Sequence, residues 1–334
     1  MSMYDGSSRG SVERLTRGLR EQLQTMTAAA HALGSNLAGN GKAEEYLAVL
    51  EHAICSQLRL VRQAELNERL YGNNELRVIL APMDLAALGR DVMKKTDALT
   101  RPLLDIKAEF SSSLAALPTQ ADQAALEEML LCFIANSVRV IGRGGTIRLE
   151  LERVEGRAVF TLTDTGCGLA PEVLAGLFVP DEDEKDREDG EDREESENQE
   201  ESEDREDGEA LEFPVRGLRL ARRIAVLHSA TLMAGNTEAG GACLAVSLPI
   251  VERASGALCS PAIPVDCSGG WDPVLVALSG CLPREAFLPE RQKRWASSTG
   301  PAATGGCCTP CWCSAWAGWR WASSWTPPGG SWRG

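Results

Sequence analysis

Asp164-Thr165-Gly166-Cys167-Gly168 follows an alternating apolar run, Ala158-Val159-Phe160-Thr161-Leu162. The pattern is a strand running into a turn that two glycines leave nearly bare of side chains. A backbone without Cβ atoms lets a flat ring lie close, and a carboxylate at the strand end can accept from an exocyclic amine. Asp-x-Gly-x-Gly is also found in ordinary strand-to-helix turns, so its neighbours decide its weight. Upstream, Leu126 to Val140 is an apolar helix that carries one asparagine, Asn136. Downstream, Arg216-Gly217-Leu218-Arg219-Leu220-Ala221 opens a second amphipathic helix, whose glycine-bearing N-terminus is a natural phosphate cradle. That helix ends at Leu227-His228-Ser229-Ala230, and a strand ending in Leu248-Pro249 closes the unit.

These elements need a scaffold that brings a helix face, a strand end and a second helix start together. Their order and spacing resemble the ATP-binding catalytic domain of sensor histidine kinases, within the GHKL ATPases, over roughly residues 76–250. The Asn136 helix is similar to the N box, Asp164–Gly168 to the G1 box, Leu177-Phe178 to the F box, and residues 216–221 to an altered G2 box. Four ordered boxes are far more specific than any one. The resemblance implies ATP and Mg²⁺ as cofactors. Asn136 would hold the metal, Arg139 would reach phosphate, and Asp164 with Gly166 and Gly168 would take adenine. Gly217 and Leu218 would complete the phosphate side.

Several positions depart from that family. Cys132 stands one helical turn before Asn136, where an oxygen ligand is usual, and thiols are poor ligands for Mg²⁺. Arg219 and Ala242 replace a glycine and a threonine, and Ser229-Ala230 replaces two glycines after His228. The adenine end is intact and the phosphate end is altered.

Leu15, Leu19, Leu23, Met26, Leu33 and Leu37 mark one face of a first helix, and Leu47, Leu50, Ile54, Leu58 and Val61 mark a second. Gly39-Asn40-Gly41 turns the chain between them. Two such helices cannot bury both stripes alone, and a four-helix bundle in a homodimer does so. His31 lies nearly opposite Leu33, facing solvent. His31-Ala32-Leu33-Gly34-Ser35-Asn36-Leu37 resembles the kinase H box at the histidine and both leucines, with Ala32 in place of the acidic general base and Asn36 in place of proline. The resemblance makes His31 the phosphoacceptor, and an exposed helix histidine without a role is the alternative.

The fold class expected is α+β: an antiparallel helical hairpin, then a GHKL-type α/β two-layer sandwich with one sheet face covered by helices. Residues 1–10 read as disordered, 11–72 as the dimerisation hairpin, 73–250 as the ATP-binding domain and 251–289 as an extension that docks elsewhere. Within the domain, 77–80 and 103–110 read as strands, with a helix from 83 to about 99 between them.

Residues 181–210 read as an acidic, unfolded lid insert. Residues 181–209 hold nineteen Asp/Glu and four Lys/Arg, a local net charge of −15 against −14 for the whole chain. The remainder is close to neutral, which speaks against a nucleic-acid partner.

Residues 290–334 contain seven of the eight tryptophans without a period and read as unstructured or out of frame. Cys307, Cys308, Cys311 and Cys313 are spaced too tightly for paired zinc knuckles. Cys55, Cys132, Cys167 and Cys243 read as buried, reduced thiols. With no run of eighteen apolar residues and no signal peptide, the expectation is a cytoplasmic protein without a membrane span. Two functions remain open. One is a soluble histidine kinase that passes phosphate to a response regulator receiver domain. The other is a pseudokinase that uses the same fold as a dimeric binding module.

Overall fold

The computed structural model describes residues 5–37, 39–71, 78–178, 217–251 and 271–299. Two long helices, α1 (Asp5–Leu37) and α2 (Gly41–Tyr71), open the chain. Residues 5–10 are helical, which corrects the expectation of disorder there. Asn40 caps α2 by accepting from the Ala43 amide at 3.4 Å, and Glu44 reaches back to the Gly39 amide at 2.9 Å. Gly39 carries the turn at φ +89°. A connection this short makes the two helices an antiparallel hairpin.

The apolar stripe of α1 is not the face that packs inside this hairpin. Thr16, Leu23, Thr27 and Ala30 are buried, while Leu15, Leu19, Met26 and Leu33 are exposed. Small residues let the helices approach closely: a Cβ on Gly34 would lie 2.9 Å from a Leu47 methyl. Arg20 and Glu65 pair across the hairpin.

The second body is a five-stranded sheet ordered β2-β4-β5-β7-β6, with helices on one face. Its strands are β2 (Ile106–Ser112), β4 (Gly145–Val154), β5 (Arg157–Asp164), β6 (Thr231–Asn236) and β7 (Ala242–Pro249). Only β2 and β4 are parallel; the other neighbours are antiparallel. A separate antiparallel pair, β1 (Ala81–Asp84) and β3 (Pro118–Ala121), lies outside this sheet. Residues 78–80 are not a strand; β1 begins only at Ala81, because its partner β3 pairs with Ala81 to Asp84. The helices are α3 (Leu85–Leu104), α4 (Gln123–Ile141), α5 (Pro171–Phe178) and α6, residues 217–227.

Strand alternation sets the layers. Ile147, Leu149 and Leu151 of β4, and Ala158, Phe160 and Leu162 of β5, are buried, while Arg148 and Glu152 are exposed. The same phase carries Asp164 into the buried layer, on the side of α4.

Asp122 caps α4 and ties three elements to it. Its Oδ1 accepts from the Ala125 amide, its Oδ2 from the Ile79 amide, and the Oδ2 also pairs with Arg69 of α2 at 2.9 Å. The Asp122 amide donates to His228 Nε2 at 3.1 Å, and His228 Nδ1 donates to the Ile224 carbonyl at 2.8 Å. That pattern fixes the neutral imidazole, and burial lowers its pKa.

A C-terminal segment, residues 271–299, packs on both bodies. It holds α7 (Pro273–Leu278), a 3₁₀ turn (Arg284–Phe287) and α8 (Pro289–Thr299). Residues 290–299 thus belong to a helix, although their sequence lacks an apolar period; the helix is held from outside, where Trp295 Nε1 donates to the Lys95 carbonyl at 3.2 Å. Val274, Leu275, Val276, Leu278 and Phe287 are buried. Trp271 Nε1 donates to Thr27 Oγ of α1, and His52 of α2 bonds the Ser279 carbonyl at 2.9 Å. Lys95 of α3 pairs with Asp272 at 3.0 Å and Asp91 at 2.8 Å; burial opposes its charge, but the two carboxylates outweigh it and raise its pKa.

Of the thiols, Cys55 and Cys132 are buried, but Cys167 is exposed because it sits at the turn after β5, outside the packed layers. The acidic insert and the cysteine-rich tail lie outside the described residues. Among the described residues no helix is long and apolar enough to cross a membrane.

Candidate active site

Asp164 is the best-supported side chain of the site. Its Oδ1 accepts from the Gly166 amide at 2.9 Å and the Ala242 amide at 3.1 Å, and its Oδ2 from the Ser137 hydroxyl at 2.6 Å. An ionised carboxylate has about four acceptor positions. Three are used, and one remains for a ligand.

The turn after Asp164 is built around missing side chains. A Cβ on Gly166 would lie 2.7 Å from Val140 of α4, and one on Gly168, at φ +82°, 2.7 Å from both Asn236 and the Gly240 carbonyl. A Cβ on Gly241 would sit on the Asp164 carbonyl. Asn236, at the end of β6, clamps the turn: its Oδ1 accepts from the Leu169 amide at 2.7 Å and its Nδ2 donates to the Leu169 carbonyl at 3.1 Å. Sequence reading passed over Ser137, Asn236 and Gly241. Ser137 directly follows Asn136, but its contact with Asp164 spans 27 residues and leaves no local pattern.

Asn136 is buried on α4, and its Nδ2 has no hydrogen-bond partner. An unpaired amide group in the interior costs about 1–3 kcal/mol, so its survival points to a ligand. It lines a small cavity with Cys132, Gly217 of α6 and Ala277 of α7. Gly217 faces Cys132, with its Cβ position 3.7 Å from the Cys132 Sγ. Burial drives the Cys132 thiol pKa well up, so it stays protonated and is no substitute for an oxygen ligand. Leu218 is buried beside Gly217 and anchors the start of α6 in the core.

The structure therefore brings Asn136 and Gly217 together on one side of α4, and Asp164, Gly166 and Gly168 together at the end of β5. Arg139 is exposed on α4, and its guanidinium neighbours Cys281. His31 stands apart on α1. It is exposed, with its ring tilted at 55° to Trp271 at 5.0 Å between centroids, and desolvation lowers its pKa. Among the described residues no group of three His, Cys, Asp or Glu side chains could hold a metal. A divalent ion here would draw most of its ligands from phosphate and water, as Mg²⁺ commonly does.

Residues 121–252 match the family of histidine kinase-, DNA gyrase B- and HSP90-like ATPases. This segment is an ATPase domain of that family. The boundaries enclose α4, β4 to β7 and the Asp164 turn. Sensor histidine kinase ZraS of Salmonella typhimurium is 30% identical over 132 residues, covering 39% of this chain and 26% of that protein. Adaptive-response sensory kinase SasA of Parasynechococcus marenigrum is 26% identical over 245 residues, covering 71% of this chain and 57% of that protein. The chain thus spans about a quarter of the first relative and just over half of the second. The crystal structure of full-length ShkA in complex with AMPPNP superposes with a TM-score of 0.52 at 21% identity, covering 74% of this chain and 47% of that one. That likeness is one of fold. Sequence and fold together place the chain beside the sensor histidine kinases.

Proposed function

We propose that the protein is a histidine kinase of a two-component system that uses ATP to phosphorylate His31 and then supplies the phosphoryl group to a response regulator receiver domain. The observation that carries this reading is the Asn136 amide, buried without a partner on the helix that also bonds Asp164. Adenine would sit on the glycine turn, with its amine donating to the free acceptor position of Asp164. Gly166 and Gly168 let the turn pack tightly against Val140 and Asn236 and so hold Asp164 in place, and Gly217 and Leu218 would present the start of α6 to the phosphates. Arg139 offers a cation at the exposed rim. Asn136 would contribute one oxygen to Mg²⁺, whose role when bound is to neutralise charge on the phosphates.

The transfer would break the bond from the γ-phosphorus to its bridging oxygen and form a phosphorus–nitrogen bond on the His31 imidazole, which loses a proton to solvent. The depressed pKa of His31 favours the neutral, nucleophilic ring. Ala32 supplies no base, which leaves proton removal to water and makes the transfer slow. The exposed leucines of α1 suit a second copy of the hairpin, giving a four-helix bundle. Incubation with Mg²⁺–ATP should yield protein-bound phosphate that is acid-labile and base-stable, and His31→Gln should abolish it. Phosphate of equal yield in His31→Gln would move the acceptor elsewhere.

A further inference from the structure

Residues 271–299 pack beside the Asn136 face of the proposed nucleotide site. Ala277 and Gln63 of α2 close over Cys132, Asn136 and Gly217, leaving a cavity of about 10 Å³. That is room for one water at most, whereas small-molecule sites run to roughly 300–1,000 Å³. Next along the segment, Cys281 Sγ donates to the Ala135 carbonyl at 3.5 Å, directly beside Asn136. The same segment presses Trp271 against His31. One stretch of chain therefore packs over the Asn136 face and touches the imidazole, which stays exposed.

What holds the segment down is partly polar and reversible. Gln292 Nε2 donates to Glu51 Oε2 of α2 at 2.6 Å and to the Phe287 carbonyl at 3.0 Å. Glu51 is buried, and its carboxylate accepts from this amide. Replacing the amide by a carboxylate would set two acceptors against each other.

We infer that residues 271–299 form an autoinhibitory strap, clasped to α2 through Gln292 and Glu51, that closes the Asn136 side of the nucleotide site and holds Trp271 against His31 until it is released. This rests on the nucleotide reading of that site.

The test is made on the full chain at pH 8 with a fluorescent ATP analogue and Mg²⁺, with hydrogen exchange followed over 271–299. Gln292→Glu should raise exchange across the strap and tighten binding tenfold or more. The double variant Glu51→Gln/Gln292→Glu restores the donor–acceptor pair with roles exchanged, though not the bond to the Phe287 carbonyl, and should reverse most of the gain in affinity. This rescue separates a clasp from simple loss of folding. Measurable binding that stays unchanged while exchange rises would overturn the strap and leave the nucleotide site standing. Unchanged exchange in Gln292→Glu would overturn the clasp. A strap that opens in a protein no variant of which binds the analogue would overturn the nucleotide reading and the strap with it.

Discussion

The Ser137 hydroxyl donates to the Asp164 carboxylate at 2.6 Å, joining the helix that carries Asn136 to the strand end that carries the glycine turn. The two halves of the site are thus directly linked, and the bond sits in the interior. Removing the donor leaves a buried carboxylate oxygen unmatched, which costs about 1–3 kcal/mol. Ser137→Ala should lower stability by that amount in urea denaturation, while Ser137→Thr, which keeps the hydroxyl, should lose less. Equal losses in both variants would remove the bond from the account.

Asp122 is the corresponding joint between the hairpin and the ATPase domain. It caps α4, accepts from Ile79 and pairs with Arg69. Asp122→Ala loses the cap and leaves Arg69 without this partner, for a combined cost of roughly 2–4 kcal/mol. Asp122→Asn keeps the acceptor for Ala125 and should lose about half as much. Thermal unfolding of the two variants side by side decides this.

Much of this site was legible in the sequence. Period-2 alternation through β5 sets the phase of Asp164, and glycines at 166 and 168 announce a turn that tolerates no Cβ. Less legible was which residues of α1 pack inside the hairpin: Thr16, Leu23, Thr27 and Ala30 do, while Leu15, Leu19, Met26 and Leu33 stay outside. The strap was legible only as a short apolar helix behind a turn. Its contacts reach from Trp271 to Thr27 and from Gln292 to Glu51, over 240 residues of separation, and such pairings leave no trace in local spacing.

The burial of these residues decides how dimerisation is tested. Leu23 is buried inside one hairpin and Leu50 packs against the core, so charging them would unfold the hairpin rather than split a dimer. Leu19 and Met26 are exposed on the free stripe. Leu19→Glu/Met26→Glu should convert a dimer into a folded monomer in light scattering at micromolar concentration, with unchanged helix content. A wild-type monomer would contradict the bundle.

Stability should carry the mark of Glu51, whose pKa burial raises to about 7, with the Gln292 bond working in the other direction. The folded state holds this proton more tightly than the unfolded state. Its contribution is therefore complete below about pH 4.5 and is lost as pH rises through 7. His228 runs the opposite way: its depressed pKa contributes above pH 6.5, and that contribution is lost as pH falls through the folded value. Comparing Glu51→Gln with wild type isolates the first effect. The variant should be about 1–3 kcal/mol more stable at pH 8 and no more stable at pH 4.5. A constant difference across that range would assign Glu51 no titration.

Cys132 offers a test of the metal side. Cys132→Asn adds an amide oxygen one turn before Asn136, at a buried position that faces Gly217. Binding of ATP should become more dependent on Mg²⁺, with at least a threefold gain in affinity in its presence and none in EDTA. An equal change in both buffers would place the metal away from this turn.

The central claim is that Asp164 receives adenine at its one free acceptor position. Asp164→Asn keeps Oδ1 for the Gly166 and Ala242 amides, and the Ser137 hydroxyl can turn to accept from the new amide. The fold is thereby preserved, but a donor now faces the adenine amine, at a cost of about 1–3 kcal/mol in binding. Titration of the full chain with a fluorescent adenine nucleotide and Mg²⁺, beside Asp164→Asn with matched thermal unfolding, measures this directly. The account predicts saturable binding to the wild type and an affinity roughly five- to 150-fold weaker in the variant. Equal affinities in two equally folded proteins would contradict it.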